Sequence, residues 1–285
     1  MKSAVVTGAS TGIGWGCVKV LAAKGFRVFG SVRKQADADR LSKEFGAAFT
    51  PLLFDVTDEA AVNASAKAVA AKLGSETLAG LVNNAGIAVA GPLLHLDIGE
   101  FRKQIDVNLT GQLIVTQAFA PLLGARPGAR VAAPGRIVMI TSVGGKNASP
   151  FVGPYNASKF GLEGLSESLR RELMLYGVDV VIVAPGAVAT PIWDKADAVD
   201  VSRYSNTPYA KPLDAVKNYM IKIGKAGFPP EKIGEVVHEA LTAANPKTRY
   251  TVAPDAFQNW LMLTLPKRTV DNMIAGRLGL KRAAS

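Results

Sequence analysis

Ser142 closes the apolar run RIVMITS, Tyr155 stands near the start of GPYNASKFGLEGLSESLRREL, and Lys159 follows one helical turn later. Residues at that spacing share a helix face whatever their purpose, so spacing alone does not separate a catalytic couple from helix decoration. The chemistry this trio could do is proton transfer coupled to hydride transfer. A phenol titrating at about 10 is a poor base at neutral pH, and a cation one turn away favours the phenolate, so Lys159 is expected to lower the Tyr155 pKa. Tyr155 would then give a proton to a carbonyl oxygen or take one from an alcohol, while Ser142 holds the same oxygen. Taken singly, Ser142 reads as a loop cap, Tyr155 as a half-buried helix residue and Lys159 as a surface charge. Their joint placement argues against three coincidences.

The elements that would position them alternate along the chain. SAVVT, FRVFGSV, FTPLLF, GLVNN, RIVMIT and DVVIVA read as strands. GIGWGCVKVLAAKG, ADADRLSKEF, DEAAVNASAKAVAAKL, EFRKQIDVNLTGQLIVTQAFAPLL and NASKFGLEGLSESLRRELMLYG read as helices. Strands apolar along nearly their whole length need cover on both faces, which helices above and below a parallel sheet provide. The expected fold is α/β: a doubly wound parallel sheet in a three-layer sandwich, with sites beyond the carboxyl ends of the strands. Ser142 falls on that side. The Pro- and Gly-rich stretch GARPGARVAAPG enters a strand from its amino end, so it is given no chemistry.

TGASTGIG, residues 7–14, joins the first strand to the first helix. Its glycines allow a tight turn and close approach to a pyrophosphate at a helix amino terminus, so Gly8, Ser10, Thr11, Gly12, Ile13 and Gly14 are expected cofactor contacts. The spacing differs from the commonest dinucleotide fingerprint, and a plain strand-to-helix turn is the alternative. The second strand ends GSVRK, with Val32 and Arg33 where an acid would hold a ribose 2′-hydroxyl. Arginine there suits a 2′-phosphate, which favours NADP(H), with Ser10, Thr11 and Lys34 as helpers. A solvated Arg-Lys pair is the other reading, and NAD(H) is the other cofactor. Asp55, followed by Val56, either accepts from an adenine amino group or makes a turn before Asp58 and Glu59. In NNAG, Asn84, Ala85 and Gly86 either brace the sheet or approach the cofactor.

By motif and order the chain resembles the short-chain dehydrogenase/reductase family. TGASTGIG, NNAG, Ser142, Tyr155-Asn-Ala-Ser-Lys159 and Pro185-Gly186-Ala-Val-Ala-Thr190 carry the likeness, over about residues 3–190. The resemblance implies an NAD(P)-dependent oxidoreductase. It implies a fourth catalytic residue, Asn108 in DVNLTG, fixing a helix kink and a water connected to Lys159. It also implies cofactor contacts at Pro185, Gly186, Val188 and Thr190, ribose held by Lys159, and a homo-oligomer. KTRYTVAPDAFQNWLMLTLPKRTVDNMI is similar to the carboxyl-terminal extension of the retinol and hydroxysteroid dehydrogenase branch. That implies a lipophilic alcohol, ketone or aldehyde as the small-molecule substrate. Two other readings stay open: an NAD-linked alcohol dehydrogenase, and a non-catalytic NAD(P)-sensing protein, for which keeping all four residues would have no chemical reason.

The chain of 285 residues, 48% hydrophobic, can bury a large core. A single cysteine, Cys17, fits a reducing compartment and reads as a core residue. The amino terminus has no secretory pattern and no apolar run approaches a bilayer span of about 20 residues, so a cytoplasmic protein is expected. Half of the net charge of +10 lies in residues 246–285, without a nucleic-acid-binding signature or a basic block, so a solvated surface is expected rather than nucleic-acid binding. His95 and His238 lack metal-ligand partners, and no metal is assigned. Residues 1–254 form the expected dinucleotide-binding catalytic domain, with a weakly periodic covering segment at 191–228, and 255–285 form an extension of it. Phe257, Trp260, Leu261, Met262, Leu263 and Leu265, near Lys267, Arg268 and Arg277, would pack on the domain, line a substrate mouth or subunit contact, or touch a membrane surface.

Overall fold

Alternate residues of each apolar run pack to opposite sides of one sheet. In β1 (Ser3–Val6), Ala4 and Val6 join one buried cluster and Val5 the other; in β5 (Arg136–Ile140), Val138 and Ile140 face one side, Ile137 and Met139 the opposite one. That period of two, apolar on both faces, is the signature of a strand covered twice. The computed structural model describes residues 1–128, 131–198, 200–254 and 256–280, without the side chains of residues 195 and 256–259. The remaining strands are β2 (Arg27–Val32), β3 (Phe49–Leu53), β4 (Gly80–Asn83), β6 (Asp179–Pro185) and β7 (Arg249–Val252). All pairings are parallel, in the order β3-β2-β1-β4-β5-β6-β7. The order reverses between β1 and β4, which opens a crevice at their carboxyl ends.

One face is covered by α1 (Gly12–Ala23), α2 (Gln35–Phe45) and α9 (Pro230–Thr242), through Cys17, Leu21, Leu41, Ile233 and Val237. The other is covered by α3 (Glu59–Leu73), α5 (Gly111–Phe119) and α6 (Gly153–Leu173), through Val62, Val69, Phe119 and Leu162. Asp58 caps α3 by accepting from the Ala61 N–H at 3.0 Å. The long helix expected over 100–123 is interrupted. α4 (Ile98–Ile105) passes through a π-turn, Asp106–Thr110, before α5 begins. α1 crosses α9 at two glycines: a Cβ on Gly234 would stand 2.6 Å from the Gly16 carbonyl.

Two further differences lie near the end of the chain. Residues 191–228 are largely helical, with α7 (Ile192–Asp197) and α8 (Ala210–Lys225). α8 itself is amphipathic: Leu213 and Val216 are buried while Lys211, Lys222 and Lys225 are exposed, and the irregular residues before it diluted that pattern over 191–228. The extension forms α10 (Ala256–Thr264) and α11 (Lys267–Leu278). Val270 of α11 is buried, and Leu278 and Leu280 pack against the cluster of Phe151, Tyr204, Leu213 and Val216.

Candidate active site

The crevice is tied together by Thr7, at the carboxyl end of β1. Its hydroxyl accepts from the N–H groups of Asn84 and Ala85 at 2.9 and 3.0 Å, while Asn84 Nδ2 donates to the Thr7 carbonyl at 2.8 Å. Asn84 is thus the brace that the sequence offered as one of its two readings. Gly8 and Gly12 have φ of 65° and 59°, the left-handed region that favours glycine. A Cβ on Gly8 would meet Ala85 Cα at 2.9 Å, one on Gly12 would meet Thr190 at 3.2 Å, and one on Gly86 would meet Asn108 Oδ1 at 3.3 Å. Gly14 packs its Cα against the Gly8 carbonyl and Asn84. Ile13 and Ala85 pack on the two core clusters, and Val56 is buried. Thr11, the N-cap of α1, has no side-chain cap bond, and the first turn of α1 carries no acid. A helix start with free N–H donors and glycine walls fits a pyrophosphate.

At the end of β2, Arg33 is 68% exposed and pairs with Asp55 at 3.6 Å. Asp55 accepts from the Thr57 N–H and hydroxyl at 3.0 and 2.8 Å, so it makes the turn expected in one of its readings. Although partial burial acts against it, these bonds and Arg33 hold its carboxyl below the usual carboxylate range. Lys34 is the N-cap residue of α2. Arg40, which the sequence did not single out, donates from α2 to the Ser10 carbonyl at 2.6 Å. It places a guanidinium beside the Ser10–Thr11 turn.

Ser142, Tyr155 and Lys159 converge past the end of β5. Ser142 Oγ accepts from the Gly144 N–H at 3.0 Å, and a Cβ on Gly144 would stand 3.3 Å from that oxygen and 3.4 Å from Tyr155 Cε1. Lys159 is buried; its Nζ donates to the Ile140 carbonyl at 2.8 Å and lies 5.8 Å from the centroid of the Tyr155 ring. The expected direction of the Tyr155 shift is overturned. Burial pushes the phenol above its ordinary pKa, and a hydrogen bond with Ser142 offsets this only in part. Burial also lowers the ammonium, to about 8, against the opposing charge of Glu163. Burial decides both directions: it disfavours the phenolate and the ammonium alike.

Asn108 sits in the π-turn, a break that turns its side chain out of the regular helical path. Its Oδ1 accepts from the Ile87 N–H at 2.8 Å, and its Nδ2 donates to the Ile87 carbonyl and to Ser158 Oγ at 3.0 and 3.2 Å. Ser158 donates to the Tyr155 carbonyl at 2.7 Å, so Asn108 reaches the Tyr155–Lys159 turn of α6 through one hydroxyl. Gln104 reinforces this by accepting from the Val89 N–H at 2.7 Å and donating to the Ile87 carbonyl at 3.0 Å. Neither Gln104 nor Ser158 was legible beforehand.

Pro185 ends β6, the Gly186 N–H bonds to the Val252 carbonyl at 2.9 Å, and Val188 bridges Phe228 in parallel. This brings Thr190 to Gly12 and roots both ends of 191–228 beside the crevice. Phe151, at φ 65°, is the one non-glycine residue with positive φ among the described residues, and its carbonyl accepts from the Gly91 N–H at 2.7 Å. Such backbone is held only where surroundings enforce it, here by Tyr204, Leu213 and Val216. His95 packs edge-on to Tyr209. Cys17 is buried, its thiol pushed up to about 12. Of the apolar residues in α10, Trp260, Leu261 and Leu263 are exposed, and Phe257 lies outside the described side chains. Among the described residues no helix is long and apolar enough to cross a membrane.

A parallel sheet with a glycine-lined crevice at its reversal point, and a hydroxyl, phenol and ammonium at the same edge, defines a nucleotide-binding oxidoreductase fold. Residues 2–200 match the model of the short chain dehydrogenase family, and the chain belongs to that family. An NADPH-dependent 3-dehydrocapnine reductase of Ornithobacterium rhinotracheale is 39% identical over 96% of both chains. Retinol dehydrogenase 5 of Mus musculus is 35% identical over 94% of this chain and 86% of its own. A solved short-chain dehydrogenase/reductase of Burkholderia phymatum, in complex with NAD, shares the fold with a TM-score of 0.78, 23% identity and 95% coverage of each chain. The chain is an oxidoreductase of this family, whose members transfer hydride to or from a nicotinamide dinucleotide.

Proposed function

We infer that the protein is an NADP(H)-preferring oxidoreductase that interconverts a lipophilic alcohol with its ketone or aldehyde, chiefly by reducing the carbonyl. The observation that carries this reading is the buried Lys159, its Nζ 5.8 Å from the Tyr155 ring centroid and bonded to the strand end that leads to Ser142. The dinucleotide, when bound, supplies the hydride. Gly8, Ser10, Thr11, Gly12, Ile13 and Gly14 would hold its pyrophosphate side, and Ala85, Gly86, Pro185, Gly186, Val188 and Thr190 the walls around its nicotinamide side. Asp55 and Val56 flank its adenine end, where Arg33 would pair with a 2′-phosphate as a charge-assisted fork.

Tyr155 is held protonated at neutral pH by its raised pKa, which suits a group that delivers a proton to a carbonyl oxygen. Ser142 shares the hydrogen bond of the phenol and would position that oxygen. Lys159, titrating at about 8, can release and regain a proton near neutral pH and hold ribose hydroxyls. Asn108 keeps this turn of α6 in place through Ser158. The similarity to an NADPH-dependent reductase and to retinol dehydrogenase 5 supports both the cofactor preference and a lipophilic substrate. The exposed Arg33, with no acid in the β2 sequence, supports it independently.

A screen of lipophilic ketones and aldehydes, followed by loss of NADPH absorbance, tests the activity. Tyr155→Phe should reduce turnover by at least about a hundredfold while NADPH affinity stays within about threefold. Retained turnover in that variant would remove Tyr155 as the acid.

A further inference from the structure

Glu163 lies one helical turn beyond Lys159, on the same face of α6, and is buried with it. An ionised carboxylate in such a place costs several kcal/mol unless its lone pairs are used. Here they are. Oε1 accepts from Thr141 Oγ1 at 2.7 Å, and Arg249 of β7 grips both oxygens, Nε to Oε2 at 3.1 Å and Nη2 to Oε1 at 3.3 Å. Arg249 in turn donates to Thr251. Thr141 is the residue immediately before Ser142, and a Cβ on Gly145 would lie 3.0 Å from Glu163 Cγ and from the Lys159 carbonyl. One carboxylate therefore touches the strand end that carries Ser142, supports the turn that follows it, and faces Lys159.

We propose that Glu163 is a positioning residue of the active site: it holds Lys159 and the Thr141–Ser142 strand end in one arrangement, with Arg249 as its counter-charge. The simpler account, that the ion pair only fastens β7 to α6, does not explain why the carboxylate also bonds Thr141 at the mouth of the site. Electrostatics works in the same sense, because the Glu163 charge opposes the loss of the Lys159 proton that burial favours. The titratable and charged groups facing Lys159 are Tyr155 and Glu163 from α6, and Arg249 of β7 acts one step removed, bonded to the Glu163 carboxylate. The strand end contributes only the neutral Ile140 carbonyl and the hydroxyls of Thr141 and Ser142.

The proposal rests on the reading of Tyr155 and Lys159 as the acid and its cation, and it is tested by two variants of opposite sign. NADPH affinity, by fluorescence titration, and kcat/KM for a reducible carbonyl are measured from pH 6.5 to 10. Both should fall as Lys159 loses its proton. Glu163→Gln preserves shape and hydrogen bonding but removes the charge, and should move this alkaline limb about one unit lower. That is roughly a tenfold loss of affinity on the limb and little change at pH 6.5. Arg249→Gln removes the opposing cation and should move the limb to higher pH. Damage to the fold alone would lower values at every pH without moving the limb. A limb that stays put, or moves the same way in both variants, overturns the proposal; if one variant fails to fold, an unmoved limb in the other does so. Wild-type protein without NADPH affinity or turnover would instead sink the function reading, and this inference with it.

Discussion

Lys159 Nζ lies 5.8 Å from the centre of the Tyr155 ring, yet its 2.8 Å hydrogen bond goes to the Ile140 carbonyl. Both groups are buried, and burial, rather than that hydrogen bond, raises the phenol and lowers the ammonium.

That burial makes Lys159 a pH-dependent liability. Its pKa falls from 10.5 to about 8 on folding, so between those values the unfolded chain binds more protons and stability rises with pH. Relative to Lys159→Met, which cannot titrate, the wild type should gain up to about 3 kcal/mol between pH 7.5 and pH 10.5. Urea unfolding of both proteins at those two pH values reads the difference. A constant gap would mean that the lysine titrates normally.

At the far end of the crevice, Arg33 is held by one ion pair to Asp55 and is otherwise exposed. Arg33→Ala should weaken NADPH about tenfold, or about 1.4 kcal/mol, and leave NADH within about twofold. Fluorescence titration at low and high salt checks it, since a guanidinium–phosphate contact at an exposed site weakens with ionic strength. Equal losses for both nicotinamides would assign Arg33 to the fold.

Asn108 satisfies both backbone groups of Ile87 from inside the π-turn. Asn108→Ala leaves the part-buried Ile87 N–H unpaired, while Gln104 still donates to the Ile87 carbonyl, and should cost about 1–2 kcal/mol in urea unfolding. Hydrogen exchange should quicken at the Ile87 amide beyond the global effect. If exchange there stays as slow as in the wild type, the bond is not holding that loop.

Two glycines in helices should respond to alanine with opposite signs. At Gly16 the added Cβ would stand 2.5 Å from Pro230 backbone carbon, so overpacking of about 1–3 kcal/mol outweighs a helix-propensity gain of about 1 kcal/mol. At Gly164 nothing lies within 4 Å, and the same change should stabilise by about 0.5–1 kcal/mol. Thermal unfolding of the two variants compares them directly; a stabilised Gly16→Ala would mean that α1 and α9 cross less tightly than the structure has them.

The sheet and its chemical edge were legible because they leave local marks. Val5, Val138 and Val181 belong to apolar β-branched runs, and Gly8 and Gly12 lie where a strand turns into a helix. Ser142, Tyr155 and Lys159 followed once strand ends were known. The π-turn at Asn108 leaves no such mark, since one displaced hydrogen bond changes no composition, and only the family resemblance pointed there. α8, though amphipathic, was diluted by the irregular, Pro-containing residues that precede it. Glu163 and Arg249 are 86 positions apart, so their pairing exists only after β7 docks beside β6. The sign of the Tyr155 shift needed the balance between burial and charge, which no spacing contains.

The Thr7 hydroxyl, which receives two N–H groups from the neighbouring strand, gives the cradle a fixed floor before any guest arrives. A floor already set by the chain's own hydrogen bonds would leave a nucleotide little ordering entropy to lose there. The helices of 191–228 take no part in these bonds, so substitutions there would leave the floor in place.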